Sequence, residues 1–225
     1  MITVKKLIIF DMDGVLVDSE EAIALASAEA LADWGVNAKT TDFIPFRGMG
    51  DDKFIGGVAE LYGLKYDVKM KARAYERYFE TAAERLKVFP WSKILIENLY
   101  NRGYKIAIAS ASDKVKVLKN VECIGADLNM FNAFITGTDV VKKKPDPEIF
   151  LKAAEVAGEN PEDCLVFEDS LSGVQAAKAA GMTCIAVTTS FAREQIEKCN
   201  ADFIYDDLIC AITDSESVIY DENYR

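Results

Sequence analysis

Apolar residues in this chain follow two rhythms, and the change between them divides it. Leu7 to Phe10 form an unbroken apolar run, too short for a helix and too apolar for an exposed strand. The run therefore predicts a strand buried on both faces of a parallel sheet. From Asp18 to Lys87 the rhythm is helical and nothing alternates as a strand would. Ile23, Ala26, Ala30, Leu31 and Trp34 share one face ahead of Gly35, and further helices are predicted near 52–62 and 68–86. Asp18 and Glu21 stand at capping-box spacing, with Ser19 an equally suitable cap. Past residue 92 helices and strands alternate. Helices are predicted over 92–102, after residue 110, over 147–157 and over 172–180, with strands at 105–109, 133–136, 164–167, 183–187 and a short edge strand at 203–205. Repeated strand–helix units with apolar strands mean a doubly wound parallel sheet. The expected architecture is thus an α/β Rossmann-like core built from 1–17 and 88–225, interrupted by an all-helical cap over 18–87. The polar tail, 214–225, is expected to be loosely held.

Composition narrows the function. In 225 residues half are hydrophobic and 28% charged, enough for a large core with a smaller companion. A net charge of −11 argues against nucleic-acid or anionic-membrane binding, both of which need basic surface. A small phosphorylated metabolite remains open, since a few local lysines, a metal and backbone N–H groups overcome a modest repulsive field. Cys123, Cys164, Cys184, Cys199 and Cys210 are odd in number and lack ligand spacing, as expected for reduced thiols of a cytoplasmic protein. The first apolar run is too short for a signal peptide, and none reaches membrane-spanning length. A monomer is expected. The chain has no histidine, which excludes Ser-His-Asp hydrolysis, His-ligated zinc and phosphohistidine chemistry.

Candidate chemistry collects where strands end, the edge at which open α/β sheets bind ligands. The first strand runs into Asp11-Met12-Asp13-Gly14. One carboxylate could attack or bind a metal while the other moves protons, and the glycine lets the chain turn without obstructing them. The strand at 105–109 leads to Ser110-Ala111-Ser112, a hydroxyl and N–H groups suited to phosphate oxygens and equally to an ordinary helix cap. Lys144 precedes Pro145-Asp146-Pro147, with Lys142 and Lys143 read as solvated. The strand at 164–167 ends in Glu168-Asp169-Ser170; two acids facing Asp11 could hold a hard cation, and oxygen-only ligands point to Mg2+.

These four clusters, in this order, resemble the motifs of the haloacid dehalogenase superfamily, in the branch with a helical cap after the first strand. The Ser-Ala-Ser and Lys-Pro-Asp-Pro-Glu-Ile-Phe strings are similar to those of its β-phosphoglucomutase and phosphoglycolate phosphatase group. The resemblance implies an Mg2+-dependent phosphatase of a small phosphorylated metabolite, such as a sugar phosphate. Asp11 would be the nucleophile that forms an aspartyl-phosphate, and Asp13 the acid/base. Ser110, Ala111 and Lys144 would bind the phosphoryl group, and Asp11, Asp13, Glu168 and Asp169 the metal. A phosphosugar mutase is the alternative, and a non-catalytic binding protein on the same fold a third. Against the mutase, Ile23 and Asp51 stand where that enzyme has an assisting histidine and a phosphate-gripping arginine. Arg47 and Lys53, in the Gly48/Gly50 loop of the cap, are the candidates for reading the substrate.

Overall fold

The computed structural model describes residues 5–214. Strand β1 (Leu7–Phe10) is followed by β2 (Val17–Asp18), the helices α1 (Glu20–Ala32), α2 (Asp51–Leu61) and α3 (Val68–Arg85), and then β3 (Lys87–Val88). The alternating half contains α4 (Ser92–Asn101), β4 (Lys105–Ala109), α5 (Lys114–Ile124), β5 (Ala133–Ile135), α6 (Glu148–Ala157), β6 (Cys164–Glu168), α7 (Leu171–Ala179), β7 (Thr183–Val187), α8 (Arg193–Ile196), β8 (Phe203–Tyr205) and α9 (Leu208–Asp214). Six strands form one parallel sheet in the order β5-β4-β1-β6-β7-β8. The chain builds outward from β1 to one side through β4 and β5, then returns to the other side with β6. The carboxyl end of β1 is therefore a topological switch point, where a crevice opens between diverging connections.

Alternation along β1 explains why all four of its residues are apolar. Leu7 and Ile9 pack with Ala107, Val166 and the inner faces of α6 and α7. Ile8 and Phe10 point the other way, into a core with Ile106, Leu165 and the helices α4 and α5. Phe10 stacks on Phe167 with ring centroids 5.1 Å apart. The sheet is thus covered on both faces, and the polar residues that follow its strands sit on a rigid edge.

The cap has a separate core. Ala22, Ala26 and Ala30 of α1 and Ala74 and Ala82 of α3 are almost wholly buried, and such small residues let two helix backbones approach closely. Phe43, in a 3-10 turn over Thr40–Phe46, meets Phe54 of α2 at 5.0 Å between centroids.

Three details differ from expectation. The cap joins the core through an antiparallel ribbon, β2 paired with β3 (Val17 with Val88, Asp18 with Lys87), where no strand is predicted. Two residues per strand are too few to leave a periodic signal. Ser19 occupies the N-cap position of α1, but its side chain makes no cap bond because its hydroxyl is used elsewhere. Strand β6 runs one residue further than predicted, so Glu168 belongs to the sheet. The predicted tail lies outside the described residues apart from Asp214, the last residue of α9.

Replacing Ala30 with Leu inserts three heavy atoms between α1 and its neighbours. The expected loss is about 1–3 kcal/mol, typical of overpacking a filled core. Equilibrium denaturation of Ala30→Leu against wild type measures it.

Candidate active site

Two charge clusters share the carboxyl edge of the sheet, one on each side of Asp11-Met12-Asp13. The first joins the ends of β1 and β6 and the loop before α6. Lys144 Nζ lies 2.7 Å from Asp11 Oδ1, 2.5 Å from Glu168 Oε1 and 3.2 Å from the Ala109 carbonyl. It also sits over the Phe150 ring, 4.9 Å from its centroid. Asp169 completes the group, and one oxygen from each of Asp11, Glu168 and Asp169 falls within 4.8 Å of the others. Glu168 is fixed further by accepting bonds from the Asp169 N–H, the Ser170 N–H and the Ser170 hydroxyl. Ser190 donates to Asp169, and Thr189 to the Gly14 carbonyl.

This cluster holds three buried carboxylates against one lysine. The deficit appears in the titration behaviour of its acids. Burial pushes Asp11 up to about 7, with Lys144 pulling the other way and Glu168 adding to the rise. Burial and the charges of Glu168 and Asp11 hold Asp169 well above the usual carboxylate range. Lys144, although burial opposes its charge, is raised by the same two acids, Asp11 and Glu168. A pocket of converging hard oxygens in which three carboxylates face one ammonium, two positive charges short of neutral, fits a divalent cation such as Mg2+.

Two glycines keep the cluster compact. Gly14 has φ +88°, and a Cβ there would overlap the Asp169 carboxylate. A Cβ on Gly173 would overlap the carboxylate of Glu168. Both overlaps involve groups held in place by hydrogen bonds.

The second cluster surrounds Asp13. Its Oδ1 accepts from Ser19, from Lys116 Nζ at 3.1 Å and from Asn120 Nδ2 at 3.4 Å, while Oδ2 accepts from the Ser112 hydroxyl at 2.9 Å. Burial alone would raise Asp13, but Lys116 and the hydroxyl donors outweigh it and hold the carboxyl below its ordinary value. Lys116 is 4% exposed and also donates to Ser112 Oγ at 3.1 Å. Asn120 in turn accepts from Tyr78 of the cap at 2.7 Å, so the cap is hydrogen-bonded to the group that holds Asp13.

Among the residues singled out from the sequence, Asp11, Asp13, Lys144, Glu168 and Asp169 converge as described. Ser110 is buried beside them; its N–H bonds to Ile135 of β5 and its hydroxyl accepts from the Ser112 N–H. Ala111 follows, half-buried, where its carbonyl closely faces Gly137. Lys142 and Lys143 are exposed; the first pairs with Asp146 and the second donates to the Gly137 carbonyl.

In the cap loop, Arg47 lines the cleft between cap and core and pairs with Glu20 at 2.6 Å. Gly48 (φ +72°) lies in open space. Lys53 departs from expectation: it points along its own helix to Glu60 at 3.4 Å and over Phe46, and is not among the residues lining the cleft. Asp51 also turns away from the cleft. Its buried carboxylate accepts from Tyr75 at 2.7 Å and from the Asp113 N–H at 3.0 Å.

Lys116, Asn120, Tyr78 and Ser190 escape a search for strand-end motifs. The first two carry a signal nonetheless. Val117, Val121 and Ile124 mark the apolar face of α5, and Asn120 and Lys116 fall in the same buried phase, where polar residues need partners.

The arrangement defines a class: a doubly wound α/β protein carrying a buried acid–lysine site beneath a helical cap. The chain belongs to the haloacid dehalogenase-like hydrolase family, whose profile matches residues 8–187. It is 39% identical over 206 residues to Protein SUPPRESSOR OF QUENCHING 1, chloroplastic, of Arabidopsis thaliana. That match covers 89% of this chain but 19% of the relative. To the Phosphorylated carbohydrates phosphatase of Thermotoga maritima it is 30% identical over 176 residues, covering 78% of this chain and 81% of that protein. The crystal structure of CbbY from Rhodobacter sphaeroides in complex with phosphate superposes with a TM-score of 0.75 at 27% identity, covering 90% of this chain and 94% of that one. No helix among the described residues is long and apolar enough to cross a membrane.

Lys116→Met keeps the volume but removes the cation opposite Asp13. The expected destabilisation is about 1–3 kcal/mol, the range for losing a charge-assisted bond at a partly solvated carboxylate. Adding Asp13→Asn should recover at least half of that loss. Purely additive losses in the double-mutant cycle would show that the two groups are not coupled.

Proposed function

We propose that the protein is a phosphatase of small phosphorylated metabolites that works through a phosphorylated Asp11. The observation carrying this reading is the pairing of Asp11 with Lys144 at 2.7 Å beside Glu168 and Asp169, with a second carboxylate, Asp13, two residues away. Membership of the hydrolase family and the relatedness to a carbohydrate phosphatase support it.

Phosphoryl transfer needs an in-line nucleophile and positive charge around the moving group. An Asp11 oxygen attacks phosphorus; the ester P–O bond breaks and its electron pair leaves on the departing oxygen, which takes a proton from Asp13. Water then attacks the same phosphorus, giving its proton to Asp13, and the P–O bond to Asp11 breaks to restore the carboxylate. Lys144, Ser110 and the Ala111 N–H are assigned to the phosphoryl oxygens. The surroundings of Asp13 favour its ionised form, which is the form required for the second step. Donation in the first step requires a protonated carboxyl and therefore a looser hold by Lys116. Mg2+ held by Asp11, the Asp13 carbonyl and Asp169, with Glu168 directly or through water, would supply the charge that the cluster lacks.

A carboxylate nucleophile with a carboxylate acid/base accounts for chemistry without histidine. The mutase reading uses the same first half-reaction but needs a sugar intermediate that re-binds, and a bisphosphate-primed isomerisation assay tests it.

Asp11→Asn keeps the shape of the side chain but cannot attack phosphorus. It should abolish phosphate release while circular dichroism and melting remain native-like; wild-type turnover by a folded Asp11→Asn protein would refute the mechanism. Excess chelator should stop turnover, Mg2+ should restore it and Ca2+ should not, because calcium tolerates more ligands at looser distances. Equal rates with calcium, or full activity in chelator, would contradict this.

A further inference from the structure

The cleft that leads to the acid cluster carries its own charge pattern. Its volume is about 520 Å³, and Gly14 and Ser190, which touch the Asp13/Asp169 end, belong to its wall. Charged groups on the wall are Asp18, Glu20, Glu21, Arg47 and Lys87, three acids against two bases. Both bases are already engaged. Arg47 pairs with Glu20 at 2.6 Å, and Lys87 with Glu21 at 3.1 Å and Asp18 at 3.7 Å.

Elsewhere between cap and core, Lys71 of the cap bridges Asp52 and Asp113 at 2.9 Å each. Lys116 pairs with Asp13 at 3.1 Å. Asp51, at the start of α2, adds a buried carboxylate on the cap side. Each of Arg47, Lys87, Lys71 and Lys116 already has an acidic partner, so a second phosphate drawn to one of them would have to break an existing ion pair and face the acid released. The remaining wall is hydroxyl and apolar: Thr40, Thr41 and Thr189 beside Ile44 and Phe89. Hydroxyls and a carboxylate such as Glu20 match the donors and acceptors of an uncharged polyol.

Resting on the phosphatase reading above, we infer that the substrate is a monophosphate whose leaving group is neutral and hydroxylated, and that the Glu20–Arg47 pair discriminates against a second anionic group. Discrimination of this kind arises as much from unpaired like charge as from favourable contacts.

The test pairs hexose and pentose monophosphates with their bisphosphates, alongside 4-nitrophenyl phosphate as a generic ester and phosphocholine as a cationic one, all with Mg2+. The monophosphates should exceed their bisphosphates in kcat/KM by about tenfold or more, chiefly through KM, as expected for one repulsive contact in a low-dielectric cleft. Glu20→Gln releases Arg47 and should raise the bisphosphate-to-monophosphate ratio by about the same factor. Calorimetric titration of the Asp11→Asn protein with the same compounds reads binding without turnover, and should rank them identically.

Bisphosphates bound or turned over as well as monophosphates, a preference for phosphocholine, or a ratio unmoved by Glu20→Gln would each overturn the inference. Absence of turnover for every ester, with the binding preference intact, would instead refute the phosphatase reading and leave standing only the discrimination by the Glu20–Arg47 pair.

Discussion

Three carboxylates share one lysine at the carboxyl edge of the sheet, and much of the neighbouring structure serves that imbalance. Taking Asp11, Glu168 and Asp169 out of water is costly, and Lys144 offsets only part of the cost. Several features reduce the remainder. Glu168 receives three hydrogen bonds from the start of α7, where the helix dipole also favours negative charge. Ser190 reaches across from the end of β7 to Asp169. The aromatic face of Phe150 backs the Lys144 ammonium. Gly14 and Gly173 leave the space in which the acids crowd together. What none of these supplies is a second full positive charge, and a site built with that deficit binds a cation more strongly than it would if neutralised in advance.

Asp13 sits two residues away under the opposite regime. Its burial is compensated by Lys116 and by hydroxyl donors, so it is the settled carboxylate of the pair while Asp11 is pushed up to about 7. Environments that separate two nearby carboxyls assign them different roles. The donors around Asp13 also reach the cap: Asn120 is bonded to Tyr78 of α3, and Asp51 of α2 is bonded to the N–H of Asp113 just ahead of α5. Cap position and the surroundings of Asp13 are therefore linked through the first turns of one core helix. The β2–β3 ribbon is the covalent hinge for that link, and Ser19, immediately after it, spends its hydroxyl on Asp13 rather than on capping α1.

The sheet was legible because burial on both faces forces near-continuous apolar runs, and β1, β4, β6 and β7 carry them. The strand-end acids and Lys144 were legible for a related reason: charged residues abutting such runs must lie at the edge. The ribbon was not, since Val17-Asp18 and Lys87-Val88 hold too few residues for any period. Lys116 was hidden because a lysine in a helix reads as solvated, and only its phase relative to Val117 and Val121 marks it as interior. Lys53 shows the converse limit. Its loop position suggests a ligand contact, but α2 begins at Asp51 and carries the side chain around toward Glu60 and Phe46.

Asp51 bears most directly on what the cap selects. A residue that follows a flexible glycine pair is free in sequence terms to face the substrate, and its sign alone would make it repulsive. In the folded chain the same carboxylate is buried, satisfied by Tyr75 and the Asp113 N–H, and flanked by the Lys71 bridge between Asp52 and Asp113. That charge holds cap against core instead of facing the cleft. The wall that remains beside Gly14 consists of threonines and the Glu20–Arg47 pair. Different acids of the same cap thus hold it to the core and line the cleft.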